Sequence, residues 1–188
     1  MNVALGSERT RISADRYQKM VETGVLTKYD RVELIDGDMI NMAPIGPPHS
    51  AAMARLTKQF VLSVVDSAIV SPGGSIKLGD YSVPQPDLML LKPRADFYAG
   101  QIPAPPDVLL LVEVSESSLA FDQSTKRALY ARHGVGEYWI VDIPGKRVHV
   151  HREPTGDGYA EAVECSSSDV VSPRALPAVQ VMVGTLFA

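Results

Sequence analysis

Apolar residues recur along this chain with two different periods, and their alternation lays out an α/β order of elements. Met53, Leu56, Phe60 and Val64 fall at helical spacing, which predicts a helix from about Ser50 to Val65 with one buried stripe. Ser13 is placed to cap an earlier short helix that runs to about Glu22 and stops at Gly24. Between them, Val32-Glu33-Leu34-Ile35 and Met39-Ile40-Asn41-Met42 read as a hairpin over Arg31 to Met42, turning at Asp36-Gly37. Strands are predicted at Ala68 to Ser71, Ser75 to Leu78 and Ser82 to Leu91, followed by a proline- and glycine-rich loop from Lys92 to Pro106. Val108 to Val114 is apolar on both faces, as in a central, covered strand. A helix from Asp122 to His133 ends at Gly134, and strands follow at Tyr138 to Val141 and, after Pro144-Gly145, at Arg147 to Arg152. Two more are expected near Tyr159 to Val163 and Ala178 to Val183.

A mixed sheet with a helix on each face satisfies this order. The 188 residues are enough for one domain with a real core, with the first helix and hairpin at 13–42, the central core at 49–152 and C-terminal strands at 159–183. Hydrophobic residues at 45% and charged ones at 21% suit a soluble globular protein. The net charge of -4 and pI of about 5.5 differ from the basic balance of a general nucleic-acid binder, although metals can offset local carboxylates. Cys165 is the only cysteine, which excludes an intrachain disulfide and a thiolate metal cluster. Glu8, Arg9 and Arg11 interrupt the first stretch, so no apolar signal core is expected. With no segment apolar enough to span a bilayer, no membrane partner and a reducing cytoplasm are expected.

Chemistry concentrates at three positions. Asp87 runs into Leu88-Met89-Leu90-Leu91, Glu113 closes the run from Val108 to Val112, and Lys126 follows on the helix opened by Asp122. Neighbouring strands lie about 4.8 Å apart, so Asp87 and Glu113 at matching strand ends can share an ion. Magnesium, for which manganese can substitute, takes hard oxygen ligands and keeps waters, so two carboxylates plus the Val114 carbonyl suffice. Such a metal polarises a phosphodiester and acidifies a bound water, while Lys126 orients that water or stabilises developing charge.

The residues Arg31-Val32-Glu33-Leu34-Ile35-Asp36-Gly37, the proline-rich approach to His49, Pro86-Asp87, Val112-Glu113-Val114-Ser115, Asp122, Lys126, Tyr130 and Gly134 to Asp142 form a set. In this set the chain resembles the Uma-two family of endonucleases, part of the PD-(D/E)XK restriction-like superfamily, over about residues 13 to 150. The resemblance implies a restriction-endonuclease-like fold and metal-dependent hydrolysis of nucleic acid, DNA before RNA, with two subunits where both strands are cut. The superfamily lysine belongs two residues after the glutamate, where this chain has Ser115; Lys126 is then the candidate for a relocated lysine.

The resemblance adds Glu33 as a further acidic catalytic residue, its alternative being a hairpin residue paired with Arg31 or a nearby lysine. His49, before a helix start, either bonds a phosphate or a metal-bound water or packs beside the prolines. Gln85 shares the strand face of Asp87 and is expected to line the cleft. His149 and His151 read as a solvated strand face, Tyr130 as packing, and Asp36 as turn chemistry. Two alternatives to a nuclease stay open: a non-catalytic module that keeps the fold and binds protein or nucleic acid, and a hydrolase of a small phosphorylated molecule.

Overall fold

A computed structural model describes residues 10–27 and 29–188; Glu8 and Arg9, which bear on the signal-core expectation, lie outside them. The first helix, α1 (Ala14–Glu22), starts where Ser13 Oγ accepts the Arg16 N–H at 3.2 Å, and Gly24 leaves it at φ 74°. The hairpin strands β1 (Val32–Ile35) and β2 (Asp38–Asn41) pair antiparallel through a turn in which Asp36 and Gly37 both have positive φ, 49° and 86°. That backbone suits the right-handed twist of the two strands, which is why Asp-Gly sits there.

The second helix, α2 (Pro47–Val64), begins three residues before the expected Ser50. Its first two residues are prolines, which lack only donors that a helix start leaves unpaired anyway. Ala52, Leu56, Phe60 and Val64 form its buried stripe, with Met53 half-buried beside them.

The main sheet has six strands: β3 (Ile69–Pro72), β4 (Leu88–Leu91), β5 (Val108–Ser115), β6 (Glu137–Asp142), β7 (Arg147–Thr155) and β8 (Gly158–Cys165), hydrogen-bonded in that order. Only β5 and β6 are parallel. The expected strand from Ser82 shrinks to Leu88–Leu91, because Pro84 and Pro86 have no N–H for a ladder. Ser75 to Leu78 forms no strand either; it is held by single bonds such as Ile76 N–H to the Pro84 carbonyl at 3.1 Å.

The crossover from β5 to β6 is one helical segment in three parts: α3 (Leu119–Phe121), a π-helical turn (Asp122–Lys126) and α4 (Arg127–Arg132). It starts three residues earlier than expected, and the wider turn was not foreseen. Near the C-terminus, β9 (Val170–Val171) pairs with β10 (Val181–Met182), so the strand expected at Ala178 to Val183 is only two residues long.

Both sheet faces are covered. One packs Leu88, Leu90, Val112, Trp139 and Val150 against α2 and the C-terminal segment. The other packs Met89, Leu111, Tyr138 and Ile140 against Leu129 and Tyr130 of α4 and against Ile35, Ile76 and Leu78. Glu137 fastens the C-terminal segment to the sheet. Its Oε1 accepts from Trp139 Nε1 (2.7 Å) and Arg152 Nε (2.8 Å), and its Oε2 accepts the Arg174 N–H (2.6 Å). Glu137 is only 4% exposed, so its removal leaves the buried Trp139 indole N–H, the Arg152 Nε–H and the Arg174 N–H without this acceptor. Glu137→Ala is therefore expected to lower unfolding free energy by about 3 kcal/mol, read as a lower urea midpoint at unchanged m-value.

Candidate active site

Antiparallel pairing places Leu88 opposite Val112, and one further step of that register sets Asp87 opposite Glu113. Residues directly opposite point to the same face, with Cβ atoms roughly 5 Å apart. That face is the one covered by α4, since Glu113 alternates with Val112 and Val114 on the α2 side. The two carboxylates thus meet side by side, on one side of the sheet.

Each is held differently. Asp87 Oδ2 accepts the Val114 N–H at 2.7 Å, and Oδ1 accepts from His49 Nε2 at 3.1 Å. In an extended strand a residue's N–H and C=O leave by the same edge, so the Val114 carbonyl faces the Asp87 side as well. His49 comes from the first turn of α2, which lies close against the loop after β5: a Cβ on Gly46 would stand 2.7 Å from Glu116 Oε2. The hydrogen bond to Asp87 raises the His49 pKa, against the opposing effect of partial burial.

Glu113 is 4% exposed. Its Oε1 accepts from Lys126 Nζ (2.9 Å) and Tyr130 Oη (2.7 Å), and Oε2 carries neither of these bonds. Burial pushes its carboxyl well above the usual carboxylate range; the Lys126 charge opposes this, and Asp87, Asp122 and Glu33 reinforce it. Lys126, 6% exposed, also reaches Glu33 Oε1 at 3.3 Å. Burial alone would depress its ammonium, but Glu113 and Glu33 more than reverse that and hold it above its ordinary value. Glu33 is buried too, and its Oε2 accepts the Gln85 N–H at 3.2 Å.

Ser115, where the resemblance leads to the expectation of a lysine, has another task. Its hydroxyl and that of Ser118 both donate to Asp122 Oδ2 at 2.6 Å. Asp122 opens the π-helical turn and Lys126 closes it. The extra residue of that turn rotates the helix, and turns of this kind often mark functional sites. The lysine is therefore delivered from the helix to the floor beside Glu113, while the short Ser115 side chain anchors that helix. The helix does not open at Asp122, whose N–H is already bonded to the Ser118 carbonyl at 3.0 Å, so its amides are not free for a phosphate.

Gln85 lies along the cleft wall, with its side-chain amide donating to the Gly73 carbonyl at 2.6 Å. The cleft above these groups has a volume of about 1170 Å³, and its walls come from α1, the hairpin, the start of α2 and the loop after β5. Six lining carboxylates (Asp30, Glu33, Asp87, Glu113, Glu116 and Asp122) face only Arg31 and Lys126 as cations among the described residues.

The chain matches the family Uma2, described as "Putative restriction endonuclease", over residues 15–184. The chain belongs to the Uma2 family. A similar solved structure is that of "a putative nuclease belonging to DUF820" from Anabaena variabilis ATCC 29413, at 20% identity and a TM-score of 0.73, covering 94% of this chain and 97% of that one. That likeness is one of fold, and it accords with the restriction-endonuclease-like architecture. No curated protein matches the chain. Among the described residues no helix is long and apolar enough to cross a membrane.

Two residues carry more than the Uma2 sequence suggested. Tyr130, one turn after Lys126, donates to the same Glu113 oxygen as the lysine instead of merely packing. His151 is not solvated: it is 7% exposed, stacked near Tyr138 and Tyr159 at ring separations of 5.8 Å, and burial pushes its imidazole down to about 4. Residues Tyr138 and Tyr159 gave no periodic hint of that sandwich. His149 is half-buried, with Nε2 3.3 Å from Gln123 Nε2.

Lys126→Met leaves Glu113 buried without its cation, so its carboxyl, already raised by burial, resists ionisation further in the folded variant. A raised folded pKa means that stability is kept at low pH and lost as pH rises. Urea unfolding is expected to show a loss of about 3 kcal/mol at pH 8 and much less at pH 5.

Proposed function

We propose that this protein is a nuclease that hydrolyses a phosphodiester of nucleic acid, DNA in the first instance, with a magnesium or manganese ion held by Asp87, Glu113 and the Val114 carbonyl. One observation carries the reading: Asp87, Glu113 and Lys126, from three separate elements, converge on one sheet face at the floor of a cleft. Among the described residues no three His, Cys, Asp or Glu side chains stand ready-made around an ion. Glu33, a further acid beside Lys126, has its oxygens engaged by Lys126 and Gln85, as Asp87 has its own engaged by the Val114 N–H and His49. Two carboxylates and a carbonyl are nevertheless a donor set that fits a hard dication, which retains waters for its other positions. Such an ion, when bound, polarises the scissile phosphate and lowers the pKa of a coordinated water.

The chain's own groups do the rest. The Val114 N–H and His49 fix the orientation of Asp87. Lys126 stays protonated at neutral pH, so it cannot serve as the base; it stabilises negative charge that develops on the phosphoryl oxygens. Glu33 and Tyr130 position that ammonium and Glu113 respectively. The cleft walls include the exposed side chains of Val21 and Ile45, an opening that suits a polymer better than a small enclosed phosphate ester.

The test is metal-dependent cleavage of plasmid and single-stranded DNA. Asp87→Ala should abolish it, and Lys126→Ala should reduce kcat by about 10²–10³, the usual scale for losing one electrostatic donor. Cleavage by both variants at the parent rate would overturn the assignment and favour a binding module. A second expectation concerns protons. Because burial raises the Glu113 carboxyl above the usual carboxylate range, protons compete with the cation for it, so magnesium affinity should rise with pH. Calorimetric titration in two buffers of different ionisation enthalpy reads that release directly.

A further inference from the structure

We infer that the substrate strand is unpaired, and that Phe97 is a platform on which one of its bases stacks. The inference rests on the nuclease reading and adds a substrate class to it. Charge is the first ground. A protein that grips duplex DNA does so largely by neutralising phosphates with lysine and arginine. Here six of the cleft's eight Asp, Glu, Arg and Lys side chains are carboxylates, and Lys126 is already committed to Glu113 and Glu33. Within the cleft, phosphates find few free cations. Bases can supply affinity instead, and they are available only where the strand is not paired.

The second ground is a loop beside the cleft that holds an aromatic ring in water. Phe97 is 73% exposed, and it and Tyr98 both have positive φ, 50° and 61°. Such a backbone is disfavoured for an L-residue, and two occur in succession. The loop is braced to keep them there. Arg94 Nε pairs with Asp96 Oδ1 at 2.6 Å, the Phe97 N–H donates to the Arg94 carbonyl at 3.0 Å, and Tyr98 Oη donates to the Lys92 carbonyl at 3.1 Å. The Arg94 guanidinium lies 5.1 Å from the Tyr98 ring centroid. Tyr98 is thus tied down, and Phe97 is turned outward, largely uncovered by the described residues.

The third ground is continuity. A trough of about 720 Å³ runs between this loop and the edge strand β3, and it shares Gln18, Ser75 and Ile102 with the cleft. A strand leaving Asp87 and Glu113 can follow it to Phe97. Stacking on an aromatic side chain is indifferent to the phosphate charge and tolerant of base identity.

The test is fluorescence anisotropy with a labelled twenty-nucleotide oligo-dT, set against a blunt duplex of equal length, using the full chain with calcium as the dication. The single strand should bind at least tenfold more tightly than the duplex. Phe97→Ala should weaken the single strand about tenfold, within the range for one stacked base, and leave the duplex unchanged. Phe97→Trp should keep the affinity, and its added fluorescence should be quenched on binding. Unfolding midpoints confirm that both variants fold. Equal binding of duplex and single strand, or no effect of Phe97→Ala, overturns the inference while leaving metal-dependent cleavage standing. Failure to bind any nucleic acid removes both.

Discussion

The buried ammonium of Lys126, set between Glu113 and Glu33, is the interaction on which the rest of the molecule depends. A charge taken out of water is costly unless oppositely charged and hydrogen-bonded partners meet it. Here the partners come from the hairpin and from the middle of the sheet, while the ammonium comes from the crossover helix. None of these elements can shift without stranding a charge. Hairpin, sheet and helix are therefore locked together at the same point where the chemistry is placed, and assembly of the fold is also assembly of the site.

That lock explains the unusual route of the lysine. From Ser115, a lysine would project out of the strand itself, next to Glu113. Placed on the helix, it instead reaches back to Glu113, and the strand position is left to a hydroxyl small enough to be fully buried. Ser115 and Ser118 clamp Asp122, the π-helical turn sets the phase of the helix, and Tyr130 adds a second donor to Glu113. Five side chains, Lys126 with Ser115, Ser118, Asp122 and Tyr130, thus hold this corner of the molecule together.

How much of this was legible in the sequence follows from the range of each interaction. Apolar periodicity placed the strand of Glu113 and the stripe of α2, because both reflect local geometry. The approach of Asp87 to Glu113 followed from matching strand ends, and Lys126 from the resemblance together with its helical position. The prolines at 84 and 86 were visible, yet their effect on the strand before Asp87 was underestimated. The π-helical turn leaves no periodic trace, since one extra residue in a short helix resembles an ordinary phase error. Tyr130 and His151 looked like packing and solvated positions because their partners, Glu113 and the Tyr138–Tyr159 pair, are distant in sequence. Glu137 belonged to a recognised stretch, but its tie to Arg174 crosses 37 residues and no local rule reports it.

The same long-range view makes sense of the acidic balance. A chain with net charge -4 and a cleft whose charged side chains are mostly carboxylates is a poor match for a polyanion on its own. The dication proposed at Asp87 and Glu113 would reverse the local field where the phosphate is proposed to sit, and so would tie substrate binding to cofactor binding. Away from that point the walls offer apolar and aromatic surface (Val21, Ile45 and Phe97 among it) instead of positive charge. On the proposed reading, attraction is confined to the reacting phosphate and the remaining affinity comes from groups that do not depend on charge. A cleft built this way would discriminate by whether bases can reach its walls, which a paired helix prevents.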